Sequence, residues 1–161
     1  MLMFRQLFSL NHIILGLITS LLFSSFIYFS YLDFEVKFLN SVSAFISFYL
    51  ILRIPRVSLF YSGFFVGILW FWWISKSFVY YEQTYLIPLV LLGVGLIYGL
   101  LFLAISLRDK ILIRATGFFL LSFVYPLGFN WFKPELLLMD SFFSIDKFSF
   151  AAILLSIVLL S

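Results

Sequence analysis

The sequence predicts an all-α membrane protein, a polytopic bundle of about five to six transmembrane helices with the last one cut short. Composition is the first observation behind this: hydrophobic residues fill 65% of the 161 positions and charged residues only 11%. A soluble domain carries roughly 25% charged residues to coat its surface, so the exterior of this chain must face lipid. The second is a mean hydropathy of +1.19. The third is pattern: apolar runs near the ~20 residues that span a bilayer alternate with short charged turns. All 161 residues read as one transmembrane helical domain, without a long-period repeat, a low-complexity tract or a soluble linker.

The first span, 7–31, contains no Asp, Glu, Lys or Arg. Arg5 precedes it as in a signal peptide. The run is longer than the ~7–15 residues of a signal core and has no small-residue cleavage site, so it reads as a retained helix. Asp33, Glu35 and Lys37 form a polar hairpin, and a short second span, 38–52, opens with Asn40, Ser41 and Ser43. Arg53, Pro55 and Arg56 make a tight basic turn, because proline biases its predecessor away from helix. The third span covers 57–74, with a polar loop from Lys76 to Thr84. The fourth, 85–107, accepts Pro88 in its first turn, where a missing N–H costs little. Arg108, Asp109 and Lys110 mark the next turn, and the fifth span, 111–125, holds Arg114 close enough to its start to snorkel. Pro126 and Gly128 break that helix ahead of an amphipathic stretch reaching Lys147. The last apolar run, 148–161, would make only ~21 Å of helix against a ~30 Å hydrocarbon core, which reads as a helix cut short.

Basic residues orient the bundle. Arg5, Arg53, Arg56, Arg108, Lys110 and Arg114 fall on one side, and Lys37, Lys76, Lys133 and Lys147 on the other. Positive residues favour the cytoplasm, so the N-terminus is expected there. Scattered in turns, these residues form no basic stripe, and no nucleic-acid partner is expected.

Candidate chemistry is sparse. The chain has no cysteine and one histidine, His12, so no metal site, cofactor or nucleophilic triad is expected and no catalytic residue is assigned. His12 reads as an interfacial residue, hydrated or capping a helix. Asp33 with Glu35, and Asp140 with Asp146, read as solvated loop residues. Gly93, Gly95 and Gly99 imitate a phosphate loop but lie mid-helix with no preceding strand. Gly63 with Gly67 and Gly95 with Gly99 instead have the small-xxx-small spacing that lets helices approach closely. Trp70, Trp72, Trp73, Tyr80, Tyr81 and Tyr85 cluster where the third helix leaves the membrane and read as an interfacial aromatic belt. A sharper candidate is Trp131, in an aromatic turn with Gly128 and Phe129.

Taken in order, these features resemble the N-terminal membrane domain of bacterial apolipoprotein N-acyltransferases. The glycine-rich third helix runs through Gly67 and Trp70 to Trp73-Ile74-Ser75-Lys76-Ser77, similar to the family's segment ending in Trp-Ile/Val-x-x-Ser. A long fourth helix ends in a basic turn, and Gly128-Phe129-Asn130-Trp131 resembles the family's Gly-Phe-Pro-Trp. Two departures stand out: Asn130 replaces the proline, and 118–125 lacks the family's Glu-x-x-Arg. The resemblance implies a multi-pass protein of the bacterial cytoplasmic (inner) membrane. It also implies a membrane phospholipid and a diacylated lipoprotein as partners, with Gly128, Phe129 and Trp131 at the outer mouth of the lipid site. Family chemistry belongs to a nitrilase-like domain with a Glu-Lys-Cys triad, which a chain without cysteine cannot supply. The expectation is a membrane portion that presents both substrates to a separate or missing catalytic half. The alternative is a small membrane scaffold or transporter subunit with no acyl-transfer role. A transporter would place ionisable residues at the midplane or break helices at matching positions in two halves, and neither is evident in the sequence.

Overall fold

The computed structural model describes residues 9–34, 36–106, 108, 110–125 and 132–160. Among the described residues six α-helices carry the fold: α1 (Leu10–Tyr31), α2 (Lys37–Arg53), α3 (Arg56–Tyr80), α4 (Ile87–Ile105), α5 (Ile111–Leu121) and α6 (Lys147–Leu159). Short 3-10 turns lie at Thr84–Leu86 and Pro134–Leu138. By length and composition, three segments among the described residues can cross a membrane: Leu10–Tyr31, Arg56–Tyr80 and Thr84–Ile105. The chain is an all-α membrane protein.

Successive helices alternate in direction, giving the bundle two unlike ends. One, the basic end, gathers His12, the 53–56 turn, Arg108 and Lys110. The other gathers the 32–36, 81–83 and 140–146 segments, with Asp33, Glu82, Asp140 and Asp146. At this acidic end α1 and α3 stop in the same way. Asp33 and Glu82 take left-handed φ values of 53° and 57°. Their N–H groups bond back to Ser30 and Val79, and the next residues, Phe34 and Gln83, bond to Phe29 and Phe78. This is the Schellman arrangement, and Phe34 adds an edge-on contact with Phe29, 6.0 Å between centroids. Helix α3 therefore extends to Tyr80, six residues beyond the expected stop at 74. Serine and lysine at 75–77 are polar but helix-compatible.

Close approach of backbones holds α3 to α4. A Cβ at Gly67 would meet the Val94 carbonyl at 2.9 Å, and one at Gly95 or Gly99 would meet the Phe64 or Phe60 ring at 2.9 Å. At Gly63 the obstacle is the Tyr98 carbonyl and the Phe102 side chain. Gly93 has open space around it. Helix α1 packs on α3 through Gly16, and it packs on α2 through a Ser25–Ser43 hydroxyl bond of 2.6 Å. Lipid supplies no hydrophobic drive between helices, so small residues and such polar bonds take over that task.

Two residues depart from expectation. Arg114 does not snorkel. It is buried and donates to the carbonyls of Ile54 at 2.6 Å and Leu52 at 3.3 Å. The end of α2 at Pro55 leaves these carbonyls without intrahelical partners, and the guanidinium supplies the missing donors. His12 meets the Ser58 hydroxyl at 2.9 Å, joining α1 to α3, so it caps no helix.

Candidate functional site

Helix α5 spans 11 residues, about 16 Å of rise, which covers half the hydrocarbon core. Beyond Tyr125 the description resumes at Phe132, and this residue is 2% exposed, deep among the helices. Its ring lies 4.8 Å from Tyr98, 4.9 Å from Trp70, 6.0 Å from Phe102 and 6.3 Å from Phe23, centroid to centroid. Phe23 and Trp70 are 13 and 14 residues into their helices, roughly 20 Å from the basic end. Phe132 thus lies at about mid-depth in the bundle. Non-helical backbone at that depth is tolerated only where protein or a water-filled cavity surrounds it. Here Leu137 and Leu138 are fully buried beside Phe132. From Phe132 onward the expected amphipathic stretch is a packed, buried segment, because its aromatic and leucine side chains replace a missing length of helix.

This segment brings polar atoms inside. Glu135 is 4% exposed, and its Oε2 has no hydrogen-bond partner. Asn40, 2% exposed, donates from Nδ2 to the Asp140 carbonyl at 3.3 Å while its Oδ1 is unpartnered. The Ser41 hydroxyl accepts from the Phe142 N–H at 3.0 Å, so the opening of α2 holds the returning loop. Asp140 takes a φ of 52°, a left-handed conformation that lets the loop reverse over α2. Asp146 then caps α6, accepting from the Ser149 N–H at 2.8 Å and the Ser149 hydroxyl at 2.9 Å. The backbone bond and then the side-chain bond hold its carboxyl below the usual carboxylate range. The cap is therefore complete above the ordinary aspartate value and is lost as pH falls through the lowered one.

The expected aromatic belt divides. Tyr80, Tyr81, Tyr85 and Trp73 are exposed at the acidic end, and Trp72 is the partner of the Lys76 ammonium, 4.3 Å from its ring. Trp70 is a correction. It is 5% exposed, donates from Nε1 to the Ser24 hydroxyl at 3.0 Å and stacks on Phe23 at 5.6 Å. The 100° turn per residue points Trp70 inward while Trp72 and Trp73 point out, so Trp70 forms the wall against which Phe132 docks. Two further lysines at this end lie over rings as Lys76 does: Lys147 lies 3.5 Å from the Phe123 centroid and Lys133 lies 6.0 Å from that of Tyr125. Gly128, Phe129 and Trp131 lie outside the described residues. Sequence reading missed Phe132 and Glu135, whose one signal was the Pro126 and Gly128 break ahead of Pro134. Among the described residues no group of three His, Cys, Asp or Glu could hold a metal ion.

Known proteins share the sequence of this chain over most of its length. The family described as the apolipoprotein N-acyltransferase integral membrane domain matches residues 10–161. An apolipoprotein N-acyltransferase of Wolinella succinogenes is 45% identical over 146 residues, which is 90% of this chain and 35% of that protein. One from Campylobacter jejuni is 40% identical over 77% of this chain and 29% of its own length. A third, from Helicobacter pylori, is 38% identical over 76% of this chain and 29% of its own. No solved structure gives a significant match. The chain spans about a third of the length of these relatives. It belongs to the apolipoprotein N-acyltransferase integral membrane domain family.

Proposed function

We propose that this chain is the membrane-embedded portion of an apolipoprotein N-acyltransferase, presenting a phospholipid and a diacylated lipoprotein to a separate nitrilase-like catalytic half. The acyl chain would pass from the phospholipid to the amino group of a diacylglyceryl-cysteine. Gly128, Phe129 and Trp131 are the residues proposed to line the mouth of the lipid site, at the end of the bundle facing away from the cytoplasm. The observation that carries this reading is the buried segment seated by Phe132, immediately after Trp131 in sequence, within a chain that belongs to this family. Interrupted backbone at membrane depth and a buried ionisable side chain, here Glu135, are the features by which membrane proteins mark substrate sites.

The test is acylation of a labelled diacylated lipopeptide by the chain paired with a nitrilase-like half from a relative. Trp131→Ala is expected to cut turnover at least tenfold at unchanged abundance, with Trp131→Phe and Trp131→Tyr recovering little, about the 1.4 kcal/mol lost with a specific aromatic contact. An interfacial anchor would instead be rescued by Tyr. Equal, mild losses for all three variants would overturn the assignment of Trp131. The chain alone should transfer nothing, and a covalent acyl adduct on it would contradict the need for a second half.

A further inference from the structure

The described residues shape three apolar grooves on the bundle surface, and one differs from the others. Grooves of about 260 Å³ between α5 and α6 and about 320 Å³ between α2 and the 142–143 turn have no charged residue in their lining. The third, about 450 Å³, lies between the end of α4 and the whole of α5, with Arg108 at its mouth. Ala104 and Ile105 form one wall, and Leu112, Thr116 and Leu120 the other. The Thr116 hydroxyl donates its hydrogen to the Leu112 carbonyl at 2.9 Å, so this wall offers no free donor and is mostly carbon. The inner edge closes where a Cβ on Gly117 would meet Ile105 Cγ2 at 2.7 Å. From Leu112 to Leu120 the slot runs about 12 Å along α5 into the hydrocarbon layer.

Arg108 is exposed and, among the described residues, has no hydrogen-bond or ion-pair partner. Arg56 and Lys110 share the basic end with it. A guanidinium at headgroup level above a hydrocarbon slot is complementary to one ligand class, a phosphodiester joined to an acyl chain. A neutral helix laid in the slot would fill the carbon wall and leave Arg108 unpaired. The geometry points to a second lipid site, at the basic end, that holds an anionic phospholipid with its phosphate on Arg108 and one acyl chain between α4 and α5. Basic pockets between membrane helices bind anionic headgroups by this chemistry. The site lies away from the buried segment seated by Phe132 and does not depend on the proposed acyl-transfer function.

The experiment uses the chain purified in neutral detergent and offered equal amounts of phosphatidylglycerol and phosphatidylcholine, with bound lipid counted by native mass spectrometry. The wild type is expected to retain phosphatidylglycerol about fivefold over phosphatidylcholine, the size of effect one basic residue exerts at a headgroup layer. Arg108→Gln should bring that ratio close to one, and Lys37→Gln, a charge removed at the opposite end, should leave it unchanged. Ala104→Phe, which fills the slot, should lower retention of both lipids. Should that variant fold poorly, a phosphatidylglycerol with a photoreactive acyl chain reads the site in the wild type, with cross-links expected on 112–120. Equal retention of the two lipids by the wild type would overturn the proposal. So would equal losses from Arg108→Gln and Lys37→Gln, or cross-links confined to the groove around Val42 and Ile46.

Discussion

Glu82 shows how much a single residue can carry without touching any chemistry. It ends α3 with a φ of 57°, in the region where an L side chain crowds its own carbonyl, and as a glutamate it lacks the local bonds that ease Asn or Asp there. Glu82→Gly should therefore stabilise the chain by about 1 kcal/mol, read as a higher melting temperature in detergent. Arg114 works in the other direction. Its guanidinium satisfies the Ile54 and Leu52 carbonyls inside the bundle, and Arg114→Leu would leave both buried without donors. A loss of about 2–4 kcal/mol is expected, with Arg114→Lys losing less because an ammonium reaches one carbonyl but not a fork of two. Melting temperatures indistinguishable from wild type for Arg114→Leu would contradict this. Neither role was legible in the sequence. Arg114 near a helix start looks the same whether it rises to the headgroups or turns inward, and only the position of the 53–56 turn decides between them.

Among elements, the α3–α4 pair is the strongest test of what spacing can predict. The glycine spacing was readable because close helix approach demands a missing Cβ at fixed intervals, and the four glycines do stand at that contact. Gly63→Val would drive two methyl groups against the Tyr98 carbonyl and Phe102, which should cost about 1–3 kcal/mol and separate the helices. Gly93→Ala, made two residues before Gly95 where the space is open, should be neutral or slightly stabilising. Equal effects of the two substitutions on melting would mean that the contact does not hold the pair together. The buried segment from Phe132 was not readable in the same way. It is irregular backbone whose charged Glu135 is turned inward, so no helical or strand period marks its inward face. Its path depends on Phe132 reaching Phe23, Trp70, Tyr98 and Phe102, four residues from three separate helices. The same blindness placed Trp70 with the belt: tryptophans two and three residues apart look alike in sequence, while helical rotation sends one inward.

For the whole molecule, the all-α membrane fold was legible because lipid forces both composition and segment length, and the family was legible only through the resemblance carried by Gly67 to Ser77 and by 128–131. Orientation is a separate question that charge can answer. The described basic end holds Arg53, Arg56, Arg108, Lys110 and Arg114. At the opposite end, Lys76, Lys133 and Lys147 lie over aromatic rings among Asp33, Glu82, Asp140 and Asp146. Lys and Arg retained in the cytoplasm set topology more strongly than acids do, so the basic end is expected inside and the N-terminus with it. A chain without cysteine makes the measurement direct. A single Lys76→Cys or Arg108→Cys can be tested in intact cells with a maleimide that does not cross the inner membrane. Lys76→Cys should react before lysis and Arg108→Cys only after it. Both substitutions replace side chains at the ends of helices, so insertion should be preserved and a Western blot for abundance makes the control. The opposite labelling pattern would invert the bundle. The segment after Phe132 would then face the cytoplasm, and the proposed presentation of substrates away from the cytoplasm would fail.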